Sequence, residues 1–114
     1  VIAMAAAYST GRDIELPFRT QTGEIDQKVW QQWLALDPIN MIDSHQDSLQ
    51  KLNIFIDCGS RDEYRLYAGA RTFSAKLQNL GIKHIYEEFE DTHTKTSYRY
   101  DRSLKVISDF MNKA

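Results

Sequence analysis

The feature of this sequence that most constrains its fold is the alternation of short apolar runs with longer segments of helical period. Apolar runs cover residues 1–7, 52–57 and 82–89, and segments of helical period lie between and after them. This order is typical of an α/β fold, because parallel strands need a crossover that a helix usually supplies. We therefore predict three parallel strands, flanked by helices, in a three-layer αβα arrangement.

The first of these runs, from Val1 to Ala7, has two interpretations. It is apolar on both faces, as a buried parallel strand is. Its alanines are weak strand formers, so a helix stays an alternative. The run has no basic flank of the kind that precedes a signal peptide, and the sequence does not begin with Met. We expect such a chain to be the later part of a longer protein.

The helical segments have recognisable ends. The first begins near Asp26, a plausible N-cap, and stops before Pro38, because proline disfavours helix at the residue that precedes it. A weaker helix is expected from Met41 to Leu49. The next ends at Gly81, which suits a left-handed C-cap. The last helix has an apolar face, formed by Tyr100, Leu104, Ile107 and Met111.

Composition excludes several classes of protein. The 114 residues suit a single domain over 1–114, and 42% hydrophobic with 26% charged residues is ordinary for a globular protein. A net charge of -2 gives no basic surplus for nucleic acid, and no apolar run nears the roughly 20 residues that span a bilayer.

The single cysteine, Cys58, cannot form an internal disulfide and is expected to be a small buried residue. Such usage fits the reducing cytoplasm slightly better than an exported protein.

Two residues that could perform chemistry follow the second and third predicted strands. Asp62 lies in the turn after the second strand, and His93 lies in the loop after the third. Functional groups of parallel sheets gather beyond the carboxyl ends of the strands, and neighbouring strands are only about 4.8 Å apart. A carboxylate that accepts a hydrogen bond from an imidazole fixes its tautomer for proton transfer. Each residue also has a simpler interpretation, Asp62 as a helix cap and His93 as a solvated loop residue.

The residues from Ile54 to Tyr64 resemble the seventh strand and acid turn of α/β-hydrolases. The nearest likeness is to the esterase group that includes esterase D (S-formylglutathione hydrolase) and the enterochelin and feruloyl esterases. In that group a Gly-x-x-Asp turn supplies the triad acid, which Asp62 matches, and a loop about thirty residues later supplies the histidine, which His93 matches. Val1 to Ser9 is similar to the sixth strand, and Trp33 to Pro38 with Asn40 resembles the helical insertion before the seventh.

The resemblance implies the C-terminal half of a serine esterase, with strands six to eight of the fold. It implies hydrolysis of a small ester or thioester through an acyl-enzyme and no cofactor. The Gly-x-Ser-x-Gly elbow of that family is absent from this sequence, and so we expect the serine in a missing N-terminal half and the chain alone to be inactive. A smaller departure is Asp91-Thr92-His93, where many members have glycine shortly before the histidine.

Alternatives to the esterase hypothesis remain at this point. The chain could be a non-catalytic module that pairs with a second copy through the exposed edge of its first strand. The acidic stretch with His84, Glu87, Glu88, Glu90, Asp91 and His93 could bind a metal, although alternate strand residues point to opposite faces and cannot all converge. A solvated edge is the simpler interpretation. The aromatic residues Trp30, Trp33, Tyr98 and Tyr100 could line an acyl pocket, but helix packing explains most of them.

Overall fold

The computed structural model describes residues 2–9 and 11–112. The chain divides into two compact units, Val1–Asp43 and Ser44–Ala114. Within these described residues, no helix combines the length and the apolar character needed to span a bilayer.

The first unit is helical. It contains α1 (Ile2–Tyr8), α2 (Gln27–Leu36) and α3 (Pro38–Met41), and a 3₁₀ turn follows at Ile42–Ser44. A small core joins α1 to α2, where Ala5, Val29 and Trp33 are buried and Tyr8 and Leu16 pack against them. The rings of Tyr8 and Trp33 meet edge to face with centroids 5.3 Å apart, an arrangement that aromatic pairs favour.

The predicted first strand is wrong, because residues 2–8 form the helix α1; Val1 lies outside the described residues. Alanine has the highest helix propensity of all residues, and this segment contains four alanines. Ala5 is fully buried against α2, so packing reinforces what local propensity favours. Within residues 2–9 and 11–112 the sheet consequently has two strands rather than three.

Capping residues set the helix ends in this unit largely as the sequence predicts. Asp26 is the N-cap of α2, with Oδ1 accepting a hydrogen bond from the backbone N–H of Val29 at 3.2 Å. Asp37 ends α2 and caps α3 by accepting from the N–H of Ile39 at 3.0 Å. The weak helix expected over 41–49 is interrupted: α3 ends at Met41, the 3₁₀ turn follows, and α4 covers only Gln46–Leu49.

The second unit is a two-stranded parallel sheet flanked by helices. After α4 come β1 (Ile54–Gly59), α5 (Leu66–Asn79), β2 (His84–Phe89) and α6 (Arg99–Met111). The strands pair in parallel, in register from Ile54 opposite His84 to Gly59 opposite Phe89. The predicted α/β class is thereby confirmed at the level of a mixed fold with a short parallel sheet.

The two faces of the sheet contact different helices. Helix α5 packs against both strands, with Leu77 fully buried. At its C-terminal end Gly81 has φ 69°, and the N–H of Ile82 donates to the carbonyl of Leu77 at 2.9 Å, as a left-handed cap requires. The C-terminal glycine stop of this helix is confirmed.

Helix α6 presents an unexpected side to the sheet. Its arginines Arg99 and Arg102 bind Glu87 of β2, and Val106 is buried. The apolar stripe found in the sequence lies on the exposed side, with Tyr100, Leu104, Ile107 and Met111 between 49% and 74% exposed. The helical period was predicted correctly, but the second unit does not bury the stripe.

On the α5 face, Glu88 joins β2 to α5. Its carboxylate accepts from Arg71 Nε at 2.5 Å and Nη2 at 2.8 Å, and from the hydroxyl of Tyr86 at 2.5 Å. The guanidinium of Arg71, together with the Tyr86 hydroxyl, lowers the pKa of Glu88 to about 2 from its usual 4.5. Burial and the bond to Glu88 raise the pKa of Tyr86 to about 12. This bidentate pair is stronger than an ordinary surface ion pair.

The Glu88 contacts predict how stability depends on pH. The pKa of Glu88 is lower in the folded chain than in the unfolded one. Its contribution to the free energy of unfolding is therefore complete above about pH 4.5 and is lost as the pH falls towards about 2. We expect Glu88→Gln to lower the urea midpoint of unfolding at pH 7. Between pH 4.5 and 2.5 the urea midpoint of the variant should fall less steeply than that of the unaltered protein. Equal pH slopes for the variant and the unaltered protein would contradict this.

Candidate functional site

The loops that follow β1 and β2 are joined by backbone hydrogen bonds. Ser60 N–H donates to the carbonyl of Phe89 at 2.8 Å, and Arg61 N–H donates to the carbonyl of Asp91 at 3.0 Å. The first bond extends the strand pairing by one residue, and the second carries it into the loop that leads to His93. The two loops are therefore fixed side by side at the carboxyl end of the sheet, where the sequence placed the site.

Gly59 allows the second loop to pass directly over the end of β1. A Cβ atom built at this position would lie 2.5 Å from the carbonyl oxygen of Asp91 and 2.7 Å from that of Thr92. Real Cβ atoms do not approach backbone atoms so closely, and the atoms they would meet belong to backbone that cannot turn aside. The glycine of the Gly-x-x-Asp turn is thus required by the path of the histidine loop.

Asp62 and His93 meet between these loops. Nδ1 of His93 donates to Oδ2 of Asp62 at 2.9 Å. The Asp62 side chain is 3% exposed and the His93 side chain 41%. The carboxylate is therefore shielded while the ring reaches solvent. The juxtaposition of these two residues, predicted from the sequence, is present.

Asp62 is both a turn residue and the partner of the histidine. Oδ1 accepts from the backbone N–H of Tyr64 at 2.8 Å, which leaves Oδ2 for His93. Burial acts to raise the pKa of Asp62, but hydrogen bonds from His93, Tyr64 and Leu66 outweigh it, and that pKa is lowered from its usual 3.8. The simpler interpretation of Asp62 as a cap is therefore compatible with the catalytic one, because each oxygen has its own partner.

The ionised carboxylate fixes the tautomer of the ring. A carboxylate only accepts hydrogen bonds, so Nδ1 of His93 carries the proton and, in the neutral ring, Nε2 has a free lone pair. No described residue hydrogen-bonds to Nε2 of His93. An imidazole held in this way can accept a proton at Nε2, the ring nitrogen that does not contact the acid.

Residues next to Asp62 hold the histidine further. Oε2 of Glu63 accepts from the backbone N–H of His93 at 3.0 Å. The ring of Tyr64 meets the imidazole edge to face, with centroids 4.9 Å apart. Three consecutive residues thus contact the histidine at its ring nitrogen, its backbone and its ring.

Backbone strain is concentrated in the same two loops. Among the described residues, the non-glycine residues with positive φ are Arg65, at 57°, and Lys95, at 62°. The first lies between Asp62 and α5, and the second follows His93 by two residues. Such conformations persist where surrounding contacts enforce them and often occur at functional sites.

A cleft of about 260 Å³ opens beside the pair, between the strand ends and the first turn of α6. Its wall includes Asp62, His93, Leu66, Arg99 and Tyr100. Arg99 does not give it a free positive charge, because its guanidinium binds Asp57 at 3.1 Å and Glu87 at 2.8 Å. The cleft suits a small group rather than a large anionic one.

The described part of the chain does not place a nucleophile on the histidine. No serine or threonine hydroxyl in residues 2–9 and 11–112 hydrogen-bonds to His93. The serine nearest in sequence to the acid, Ser60, uses its N–H to continue the strand pairing. Cys58 is half-buried, and burial, with the charges of Asp62, Glu88 and Asp57, raises the pKa of its thiol, which disfavours the reactive thiolate.

A serine–histidine contact lies at the other end of the sheet. Ser74 Oγ and His84 Nε2 are 2.7 Å apart, and Nδ1 of His84 lies 3.0 Å from the carbonyl of Ile82. His84 begins β2, whereas His93 follows the end of that strand. The contact joins α5 to the sheet and has no part in the Asp62–His93 site.

The acidic stretch does not converge on a metal site. Glu87 contacts α6 through Arg99 and Arg102, while Glu88 contacts α5 through Arg71. No group of three histidine, cysteine or acidic side chains within the described residues is arranged to hold a metal ion. The alternation of strand side chains separates these carboxylates, as the sequence predicts, and arginines neutralise them.

The sequence predicted the central pair but missed what supports it. Gly59 was noted only as part of a motif, and Glu63 and Tyr64 were not singled out at all. In the sequence, Glu63 and Tyr64 are marked only by their position directly after the acid. Their contacts with His93 span about thirty residues of sequence and leave no local pattern. Tyr98, expected to pack or line an acyl pocket, donates its hydroxyl to Asp91 Oδ2 at 3.0 Å.

No protein-family model and no curated protein matches this chain.

The Gly59 contact predicts a matched pair of variants. We expect Gly59→Ala to displace the loop and break the Asp62–His93 hydrogen bond, seen by NMR as loss of the downfield Nδ1 proton of His93. Gly69→Ala is the control, because a Cβ there meets nothing within 4 Å and alanine favours a helix interior by about 1 kcal/mol. An intact His93 signal in Gly59→Ala would contradict the steric argument.

Proposed function

We propose that this chain supplies the acid and the histidine of a serine ester hydrolase, with the nucleophilic serine contributed by a segment outside the printed sequence. The observation that carries the proposal is the hydrogen bond from Nδ1 of His93 to a buried, ionised Asp62. A buried carboxylate on one ring nitrogen, with the other nitrogen accessible, is the arrangement that prepares a histidine to activate a hydroxyl.

The roles of the two residues follow from their contacts. His93 would take the proton of the serine hydroxyl through Nε2 as that oxygen attacks the ester carbonyl, and would return the proton to the leaving alcohol or thiol. Asp62 would hold the ring in its tautomer and stabilise the imidazolium formed in between. Water would then attack the acyl-enzyme by the same route. The substrate class is a small carboxylic ester or thioester, and the chemistry requires no cofactor.

The strand order and the exposed surfaces of the second unit also support this assignment. In the proposal β1 and β2 correspond to strands seven and eight of the α/β-hydrolase fold in a three-layer αβα domain, and the acid and histidine follow them in that order. The outer edge of each strand is free of a strand neighbour among the described residues. An exposed apolar stripe on α6 is a further surface that a larger domain would cover.

The rival function, self-association through an exposed first strand, depended on a strand that is not formed. Residues 2–8 are helical, so they offer no unpaired strand edge to a second copy. No contact in the described residues favours that function over the hydrolase.

The test is the mass and reactivity of the protein as made in its native cells. We expect a mass above 13.3 kDa, one adduct with a serine-directed fluorophosphonate, and turnover of p-nitrophenyl acetate. The isolated 114-residue chain is expected to give neither adduct nor turnover. A native mass equal to that of the chain without an adduct, or an adduct mapped to Ser74 beside His84, would overturn the proposal.

Asp62→Asn isolates the role of the acid. The amide oxygen can still accept from Tyr64 N–H, but the amide nitrogen would donate towards His93 and reverse its tautomer. In the isolated chain we expect the ¹⁵N shifts of the His93 ring to show protonation at Nε2. In the serine-containing protein, kcat should fall by a factor on the order of 10⁴ with little change in KM, as in other hydrolases with a misaligned tautomer. Asp101→Asn, an exposed change in α6, is the control; an unaltered tautomer in Asp62→Asn would refute the assignment.

A further inference from the structure

We propose that Glu63 is a positioning residue, which holds the backbone of His93 so that the ring stays on Asp62. The contact between Glu63 and His93 is a property of the chain itself. Its consequence for catalysis rests on the hydrolase function proposed above.

Two adjacent carboxylates hold two different atoms of one histidine. Oδ2 of Asp62 binds the ring at Nδ1, 2.9 Å away, and Oε2 of Glu63 binds the backbone N–H, 3.0 Å away. A single hydrogen bond leaves the ring free to swing about its partner. A second bond to the backbone restrains the point from which the side chain departs, and this narrows the range of directions that Nε2 can take.

The charge of Glu63 strengthens this hold. The His93 N–H is the largest influence on the Glu63 carboxyl and lowers its pKa from the usual 4.5, although burial and the nearby charge of Asp62 oppose it. Glu63 is therefore ionised at neutral pH, and hydrogen bonds to an ionised acceptor are about twice as strong as neutral ones. Two neighbouring negative charges would repel in isolation; here each is offset by its own N–H donors.

The bond to Glu63 lies in an exposed part of the histidine loop. Residues 92–95 of this loop are exposed, and Lys95 has a positive φ of 62°. Before the histidine the loop is tied at Asp91, through Arg61 N–H and the Tyr98 hydroxyl. The bond from the His93 N–H to Glu63 holds the loop backbone at the histidine itself.

The test uses the 114-residue chain and NMR. In the unaltered chain the amide proton shift of His93 should titrate with a midpoint below pH 4.5, as Glu63 is protonated. In Glu63→Gln the step due to Glu63 should be lost, so the change in the His93 amide shift becomes smaller and follows only the protonation of Asp62, while the Nδ1 proton on Asp62 stays visible at pH 7. In Glu63→Ala the His93 amide should exchange with solvent faster by a factor on the order of ten, the loss of one charge-assisted hydrogen bond.

Glu90→Gln is the matched control, since Glu90 is also exposed in this region but contacts Arg61, 3.9 Å away, rather than His93. It should leave the His93 titration unchanged. A His93 amide that does not titrate, or one that titrates equally in Glu63→Gln, would overturn the inference. In the serine-containing protein Glu63→Ala should lower kcat with KM unchanged, and Glu63→Gln should restore much of it. Because the NMR results need no serine, they separate failure of this inference from failure of the hydrolase proposal.

Discussion

The parallel pairing of β1 and β2 is the constraint on which the rest of the second unit depends. Its register places Gly59 beside Phe89, so both strands end at the same level. Hydrogen bonds then continue past the strand ends through Ser60 and Arg61 and draw the two loops together. A shift by one residue would turn every side chain to the opposite face and separate the acid from the histidine.

Charged pairs connect the short sheet to the helices on both of its faces. Arg71 binds Glu88 on the α5 face, and Arg99 and Arg102 bind Glu87 on the other face. Two neighbouring acids of β2 thereby secure two helices on opposite sides. Meanwhile the apolar stripe of α6 remains exposed, and the helix uses Arg99, Arg102 and the buried Val106 instead.

The site holds one histidine at several of its atoms and leaves its ring partly exposed to solvent. Asp62, Glu63 and Tyr64 contact the histidine at three places, all from one short turn after β1. The orientation of the histidine therefore depends on a few consecutive residues. Under the proposed function, assembling the complete triad would require only that a serine reach Nε2, without rearrangement of the acid or the ring.

The sequence by itself determined the elements whose signals are local. The apolar runs of β1 and β2, the caps at Asp26 and Gly81, and the position of Asp62 and His93 after consecutive strands could all be predicted, because periodicity and capping act over a few residues. Tertiary structure decided the rest: whether residues 2–8 form strand or helix, which side of α6 faces the sheet, and how Gly59 and Glu63 support the histidine. These depend on contacts between segments distant in the chain, and only the folded backbone brings those segments within reach of one another.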